Sequence, residues 1–385
     1  MQPLSDQEAE RLIRSGVDSL RQGRPDEARS LLQRVTATGR ASGQVWLLLA
    51  AACRAAGDPA GDEAAVDQVL SLEPRMLIGH IMKGDCRYRA GDHGSALGYY
   101  ESAQRLADGQ SLPPDLIAEL RRVQATSEQI KAGLEARREA ALEAQGVTAG
   151  TRSPRFREAL DILMGRKRIY LQEPTAFYFP GLPQIQFFDT AGFDWVPAVE
   201  ARTSAIRAEL EALLEAVGTR DFRPYIRSDP NKPRLDDNKL LDSRDWSALF
   251  LCENGGLSEE AVARCPHTWE AVQAAPLPRI TNSPTIMFSL LRPGARIAPH
   301  TGMFNTRLVC HLPLIVPPGC AFRVGNEIRQ WEEGKLLIFD DTIEHEAWNE
   351  GSGDRVVLIF DIWRPELSEQ ERREVAALFC GPAME

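Results

Sequence analysis

The 34-residue spacing of small residues in the first third of the chain constrains the fold more than any other feature. One series is Gly16, Ala50 and Gly84, and a second series, seven residues later, is Gly23, Gly57 and Gly91. A fixed period in the range of 20–50 residues is typical of repeat arrays, in which each repeat is one supersecondary unit. Glycine commonly follows a helix, because it readily adopts left-handed backbone conformations. The pattern therefore predicts an all-α array of about three helix pairs over residues 5–108.

The repeats carry a further small residue five positions after their glycine, at Ala28 in the first unit and Ala96 in the third. Together with the period, this resembles tetratricopeptide repeats, which stack as a helical solenoid with an extended binding surface. The middle unit departs from the pattern, because Asp62 holds the small-residue position and Ala64 follows two residues late. We expect its second helix to be shifted in register. A generic bundle of helical hairpins is the alternative interpretation.

A segment rich in alanine, glutamate, leucine and arginine follows the repeats, from Pro114 to Gln145. This composition predicts a long helix that caps the solenoid. The run from Gly146 to Thr151 breaks the helical pattern. The predicted organisation is a helical domain over residues 1–145, a linker over 146–153 and a second domain over 154–385.

The second domain alternates β-branched runs with turn signals, which is typical of antiparallel barrels and jelly rolls. The predicted strands cover residues 285–291, 307–315, 320–324, 327–331, 335–339, 345–349 and 355–363. Gly325-Asn326 predicts a two-residue hairpin, residues 198–217 an amphipathic helix, and Ser368 with Glu371 a capping box before a final helix. The expected fold class is multidomain α+β, with an N-terminal all-α tetratricopeptide-like solenoid followed by a β-sheet domain with flanking helices.

Charge and composition argue against several function classes. The net charge is −10 and no basic stretch is interleaved with aromatic residues, so no nucleic-acid partner is expected. The first residues lack the basic and apolar regions of a signal peptide, and no apolar run approaches the roughly 20 residues of a membrane span. We therefore expect a cytoplasmic protein without membrane insertion. Its 7 cysteines include no C-x-x-C pair and predict reduced thiols, with a Cys252–Cys265 bridge as the alternative.

Two histidines of the second domain are candidate metal ligands. His300 follows Pro299 at the mouth of a predicted strand-linking loop, and His345 follows an acidic turn. Two imidazoles on neighbouring strands can hold a divalent metal, and many non-haem iron oxygenases add a carboxylate two residues after the first histidine. That position is Gly302 here, so the expected site has two protein ligands. Buried histidines with purely structural hydrogen bonds are the alternative.

An arginine after the second histidine is a candidate carboxylate ligand. Arg355 opens the apolar run 356–360, where its planar guanidinium can bind a carboxylate in bidentate fashion. The alternative is a surface ion pair. Arg307 and His311 are four residues apart on one predicted strand, so both face the same side of the sheet. If that side lines a cavity, they add a second cationic or hydrogen-bonding point; otherwise they form a solvent-facing polar edge.

Several linked motifs, in order along the chain, resemble the aspartyl/asparaginyl β-hydroxylase family. The motifs are residues 299–312, 331–335, 339–348 and 355–365. The similarity extends over roughly residues 170–368 and is dense from 284 to 367. An N-terminal tetratricopeptide region is also a known arrangement in that family.

The resemblance implies a double-stranded β-helix of the jelly-roll or cupin type that uses Fe(II), 2-oxoglutarate and O₂. The matched motifs imply these roles: iron ligands His300 and His345, a partner for the far carboxylate of 2-oxoglutarate in Arg355, co-substrate contacts in Ser289 and His311, and an aromatic wall in Trp246. Asp341 would accept a hydrogen bond from metal-bound water and offset the charge that two neutral ligands leave. Arg307 is retained, whereas Val309 holds a position where some members carry a second arginine. Recognition of the charge on the co-substrate or the substrate is therefore expected to differ.

The expected reaction is hydroxylation of a substrate carbon, with the β-carbon of an aspartyl or asparaginyl residue in a protein or peptide as the first expectation. An oxygenase acting on a small molecule or a lipid-linked acyl chain is the second. The third is a peptide-binding repeat module attached to a degenerate barrel. The N-terminal repeats are expected to make protein–protein contacts, either with a protein or peptide substrate or only in dimerisation or partner docking.

Overall fold

The computed structural model describes residues 4–229, 231, 238–280 and 283–379. The chain forms two compact units, Met1–Leu160 and Asp161–Glu385. The first unit is helical, and the second is built on antiparallel sheets with flanking helices. Within the described residues, no helix combines the length and the apolar character that crossing a bilayer requires.

The helical unit is an array in which each helix packs on the next. Its helices are α1 Asp6–Arg21, α2 Pro25–Thr36, α3 Gly43–Ala55, α4 Pro59–Leu72, α5 Leu77–Arg89, α6 His93–Ala107 and α7 Pro114–Ala144, and α8 Pro154–Leu163 follows across the division between the units. Gly23, Gly57 and Gly91 each follow the first helix of a pair and have positive φ angles, as expected of residues that end helices. The predicted long helix after the repeats is confirmed as α7.

Small residues let the two helices of a pair approach closely. A Cβ atom at Gly84 would lie 3.2 Å from Cζ of Tyr100 and closer still to its ring edge. The predicted register shift around Asp62 is wrong. Helix α4 begins two residues after Gly57, as α2 begins two residues after Gly23.

Asp62 keeps the register because two arginines compensate its charge. The Asp62 side chain is fully buried and lies 3.1 Å from Arg54 of α3 and 2.5 Å from Arg89 of α5. A buried carboxylate is tolerated when it is paired and hydrogen-bonded. The ion pairs therefore replace the small side chain of the other two repeats.

The second unit contains twelve strands among its described residues. They are β1 Phe187–Phe188, β2 Arg223–Pro224, β3 Trp246–Glu253, β4 Gly256–Leu257, β5 Ile286–Leu291, β6 Arg296–His300, β7 Arg307–Ile315, β8 Cys320–Val324, β9 Glu327–Arg329, β10 Leu337–Phe339, β11 His345–Asn349 and β12 Arg355–Trp363. One sheet has the order β1-β10-β7-β12-β5-β3-β2, with β4 added on β3, and the second sheet has the order β6-β11-β8-β9. The helices of this unit are α9 Val196–Glu200, α10 Thr203–Val217, α11 Glu259–Arg264, α12 Pro266–Val272 and α13 Glu369–Phe379.

Alternation along the strands separates two faces of the larger sheet. On β7, Leu308, Cys310 and Leu312 join a hydrophobic core that includes Ile206 and Leu210 of α10. The intervening residues of β7 point to the opposite face, where a second core includes side chains from both sheets. Every second side chain of β5, β7 and β12 therefore points into the space between the two sheets.

Most predicted elements are confirmed, and three details differ. The seven predicted strands, the hairpin at Gly325-Asn326 and the capping box of Ser368 and Glu371 are present. The strands β1, β2, β3, β4 and β6 were not predicted, and the helix predicted over 198–217 is divided into α9 and α10. Cys252 and Cys265 are both free thiols, so the alternative bridge is not formed.

Candidate active site

A cavity of about 650 Å³ lies in the second unit and is lined by residues of both sheets. The lining includes the eight residues singled out in the sequence: Trp246, Ser289, His300, Arg307, His311, Asp341, His345 and Arg355. A pocket of this size, with apolar walls and a few convergent polar groups, has the general character of a small-molecule site. The fold thus gathers residues that lie up to 109 positions apart (Trp246 to Arg355) in one place.

The two candidate metal ligands are direct neighbours across paired strands. His300 on β6 lies opposite His345 on β11 in the antiparallel register, and their ring centroids are 4.1 Å apart. Nδ1 of His300 is 2.9 Å from the carbonyl oxygen of Ala298, and Nδ1 of His345 is 3.1 Å from that of Ile343. Because a carbonyl only accepts, Nδ1 carries the proton in both rings. The lone pair of each Nε2 is then available to a metal ion.

Desolvation by surrounding protein atoms favours the neutral form of both imidazoles. His345 is buried, and desolvation, followed by the neighbouring His300, lowers its pKa to about 3. His300 is exposed at the rim, yet desolvation by the surrounding protein atoms lowers its pKa as well. A metal ion binds the neutral form of imidazole. The pair is therefore already in its metal-binding protonation state at neutral pH.

Asp341 takes the space that a third ligand two residues after His300 would occupy. A Cβ atom at Gly302 would lie 2.7 Å from Oδ1 of Asp341 and closer still to Oδ2. The backbone holds this arrangement, because the Gly302 amide donates to the Asp341 carbonyl at 2.7 Å. Burial raises the pKa of Asp341 to about 7, and within the described part of the chain its Oδ1 has no hydrogen-bond partner. No group of three or more His, Cys, Asp or Glu side chains with metal-binding geometry occurs in the described parts of the chain.

Arg355 is a buried cation at one end of the cavity. Arg355 is 1% exposed, its Nε has no hydrogen-bond partner among the described residues, and its guanidinium lies 4.8 Å from the ring of Trp331. Desolvation lowers the pKa of Arg355 to about 10, so the group is still charged at neutral pH. A buried charge without a counter-charge is costly, so the site fits an anionic ligand.

Two polar side chains next to this end have fixed hydrogen-bonding roles. Nε1 of Trp246 donates to Oγ of Ser289 at 3.2 Å, and Nε1 of Trp331 donates to Nδ1 of His311 at 3.3 Å. Burial lowers the pKa of His311 well below its usual value, so the ring is neutral. Its proton must then lie on Nε2, which makes that atom a hydrogen-bond donor.

Arg307 lies at the other end of the cavity from Arg355. Arg307 is opposite Trp363 on β12, eight residues beyond Arg355, which corresponds to roughly 27 Å along an antiparallel strand. It forms an ion pair of 3.0 Å with Asp361. The structure therefore brings Arg307 and His311 to the same face, as predicted, but does not place Arg307 beside Arg355.

Several residues that shape the site are not among those that the sequence motifs indicate. Asp340, fully buried, accepts hydrogen bonds from Arg364 at 2.5 Å and Gln172 at 2.6 Å, and so anchors the turn before His345. Tyr225 stacks on Trp246 with centroids 4.1 Å apart. Asp340 and Arg364 stand in the quoted motifs, but no local pattern indicates that two such distant residues pair.

Comparisons with known proteins match each of the two units of the chain to a different family model. A family model described as aspartyl/asparaginyl beta-hydroxylase matches residues 200–365, and a tetratricopeptide repeat model matches residues 14–70 and 62–111. Human aspartyl/asparaginyl beta-hydroxylase is 40% identical over 144 residues, which cover 37% of this chain and 19% of that protein.

Two further relatives match a larger share of the chain. Ornithine lipid ester-linked acyl 2-hydroxylase of Rhizobium tropici is 40% identical over 181 residues, which cover 46% of this chain and 60% of that protein. Human aspartate beta-hydroxylase domain-containing protein 2 is 31% identical over 217 residues, covering 54% and 56%. The chain therefore spans less than two thirds of the length of each of these relatives.

Proposed function

Residues 200–365 belong to the aspartyl/asparaginyl beta-hydroxylase family, and on that premise we propose that this chain is an Fe(II)- and 2-oxoglutarate-dependent hydroxylase. The observation that carries the proposal is the buried guanidinium of Arg355 in the same cavity as the paired imidazoles of His300 and His345. A co-substrate with a carboxylate at one end and a metal-chelating group at the other matches that arrangement. We further propose that the two sheets form a double-stranded β-helix.

The residues present fit the implied metal and co-substrate. His300 and His345 would hold Fe(II) through Nε2, and the iron would supply the activation of O₂. Arg355 would bind the far carboxylate of 2-oxoglutarate, with Nε2–H of His311 and the hydroxyl of Ser289 as further hydrogen-bonding groups. The charge of a bound carboxylate would offset the desolvation cost that Arg355 bears in the ligand-free protein.

The protein's own contribution is to orient the reactants and limit the access of water. The Trp246–Ser289 and Trp331–His311 hydrogen bonds fix polar groups at one end of the cavity, while Phe322 and Phe339 pack around His311 and His345. Such preorganised groups position a co-substrate without further reorganisation. Asp341 lies beside the site and would accept a hydrogen bond from a metal ligand such as water.

The overall reaction is balanced by the two co-substrates. A C–H bond of the substrate becomes C–OH with one atom of O₂, and the other oxygen atom enters succinate as 2-oxoglutarate loses CO₂. The N-terminal repeats are proposed to make protein–protein contacts, for which tetratricopeptide arrays offer an extended surface. A cytoplasmic location stays a prediction.

The test is binding and turnover of 2-oxoglutarate by the full chain. We expect Fe(II)-dependent succinate formation, and loss of Mn(II) binding together with activity in His345→Ala. The matched control is His267→Ala, because His267 is an exposed residue of α12 that does not line the cavity. A chain that neither binds 2-oxoglutarate nor forms succinate when loaded with iron would refute the proposal, as would full activity in His345→Ala.

A further inference from the structure

One side chain, Trp331, connects two of the groups proposed to bind the far carboxylate of 2-oxoglutarate. Its indole Nε1 is 3.3 Å from Nδ1 of His311, and its ring lies 4.8 Å from the guanidinium carbon of Arg355. Phe322 stacks on Trp331 with ring centroids 5.6 Å apart and an interplanar angle of 17°. Trp331 is 6% exposed, so these contacts are made inside the protein rather than in water.

The loop that carries Trp331, between β9 and β10, is fixed to its surroundings on two sides. The amide of Gly334 donates to the carbonyl of Pro313 at 2.9 Å, which ties the loop to β7. On the other side, the carboxylate of Glu200 on α9 accepts from the amide of Leu336 at 3.0 Å. The backbone around Trp331 is therefore positioned by the protein itself.

The indole N–H of Trp331 determines where the proton of His311 lies, because it can donate a hydrogen bond but cannot accept one. The bond is compatible with one tautomer of neutral His311, in which Nδ1 accepts and Nε2 carries the proton. A hydroxyl or a carboxamide in place of the indole would be compatible with either tautomer, because such groups both donate and accept. A guanidinium also only donates. His311 and Arg355 thus both offer donors to a ligand in the cavity.

A carboxylate suits such a pair of donors, and a carboxamide does not. Both oxygen atoms of a carboxylate accept hydrogen bonds, so each of them can face a donor. A carboxamide has one accepting oxygen and one NH₂ group, and an NH₂ group that faces His311 or Arg355 meets another donor. Leaving a buried donor without an acceptor lowers affinity by a factor of about 5–150.

We infer that Trp331 is a positioning residue, which directs Nε2–H of His311 toward the co-substrate and so makes this end of the cavity select a carboxylate over a carboxamide. The inference rests on the proposed function and adds to it the side chain that sets the hydrogen-bonding polarity of the co-substrate site. Trp331 acts through His311, while its ring holds the guanidinium of Arg355 on its face.

The experiment compares two ligands on the full chain, loaded with Mn(II) without O₂. Calorimetric titration gives the dissociation constants of 2-oxoglutarate and of its analogue in which the far carboxylate is a carboxamide. The native protein is expected to bind 2-oxoglutarate at least about 30-fold more tightly than the analogue. Trp331→Phe keeps a ring but loses the donor, so His311 can take either tautomer and can accept from the carboxamide. The ratio of the two constants is expected to fall about fivefold or more.

Two further variants separate this effect from a general loss of packing. Trp348 lies 5.1 Å from the guanidinium of Arg296 and is not among the described lining residues, so Trp348→Phe should leave both constants within about threefold. Trp246→Phe removes another indole donor of the cavity, whose acceptor is the hydroxyl of Ser289. Because a hydroxyl rotates to donate or to accept, the ratio should stay within about threefold in this variant.

Nitrogen NMR of the metal-free protein with isotope-labelled histidine reports the tautomer of His311 directly, and His311→Leu identifies its signals. The native spectrum is expected to show the proton on Nε2, and Trp331→Phe an increased population of the other tautomer. A native proton on Nδ1 overturns the inference even if Trp331→Phe does not fold, and so does an unchanged ratio in a folded Trp331→Phe variant. Failure of the native protein to bind 2-oxoglutarate overturns the proposed function instead, and the spectrum still decides the tautomer.

Discussion

The carboxylate of Asp341 occupies the space that a side chain at Gly302 would need. Gly302 stands two residues after His300, where many iron oxygenases carry a third ligand, so the glycine and the aspartate form one structural unit. Introducing a carboxylate at 302 cannot simply complete a facial triad. It must first move a buried side chain of the loop that leads to His345.

Gly302→Asp is therefore expected to lower the free energy of unfolding by about 1–3 kcal/mol, the usual cost of overpacking. It should not tighten metal binding. Denaturant unfolding and Mn(II) titration measure the two effects. The double variant Gly302→Asp/Asp341→Gly, which restores the space, should recover stability, and a single variant as stable as the native protein would contradict the overlap.

Arg355→Met is expected to weaken 2-oxoglutarate binding by 30-fold or more, since losing one partner of a buried charge pair costs about 2–5 kcal/mol. The ligand-free protein should be as stable as the native one or more stable, because Arg355 has no described counter-charge and desolvation already lowers its pKa. Calorimetric titration and thermal unfolding give the two values.

The control for Arg355→Met is Arg292→Met, which removes a partly exposed arginine paired with Asp354. Its co-substrate affinity should stay within about threefold of the native value, as expected for a surface ion pair. Equal affinity losses in the two variants would mean that Arg355 has no special role.

Arg364→Met is expected to cost about 3–5 kcal/mol of stability, because it leaves Asp340 buried and without its cation. Metal binding should weaken as well, since Asp340 anchors the turn that leads to His345. The double variant Arg364→Met/Asp340→Asn removes the unpaired charge. It should restore most of the free energy of unfolding, measured by urea denaturation. If the double variant is no better than the single one, the ion pair is not the cause.

Local patterns predicted most of the second unit, but not the strand that carries His300. Strand β6 is at the edge of its sheet, four of its five residues are exposed, and it contains Pro299. It therefore lacks the hydrophobic alternation that identifies a half-buried strand, and proline is tolerated there because the strand lies at an edge. The order of the motifs along the chain suggested that their residues share one site. The distances between those residues follow from the strand register, which the sequence does not show.

Partners far apart in the sequence account for the other differences. The strand register places Val309 opposite Asp361, and Asp361 forms an ion pair with Arg307. The sequence alone does not show that these three residues lie together. The predicted shift at Asp62 failed because Arg54, on the preceding helix of the same pair, and Arg89, on the following pair, compensate the carboxylate. The middle repeat alone contains no signal for Arg89.

Asp62→Ala is expected to change the stability of the helical unit by no more than about 1 kcal/mol, because it removes a buried charge and supplies the alanine found in the other repeats. The double variant Arg54→Ala/Arg89→Ala should instead cost about 3–5 kcal/mol, since it leaves Asp62 buried and unpaired. Thermal unfolding followed by circular dichroism compares the two, and a larger loss in Asp62→Ala would contradict the assignment.

The ion pairs of Asp62 with Arg54 and Arg89 also make the repeats unequal as modules. Arg54 lies on α3 in the same helix pair as Asp62, whereas Arg89 comes from the following pair on α5, so the middle unit is matched to the unit that follows it. Deleting or exchanging that following unit would leave Asp62 without Arg89. The order of these two units is therefore fixed, and during evolution they would change by coordinated substitution rather than by the gain or loss of one of them.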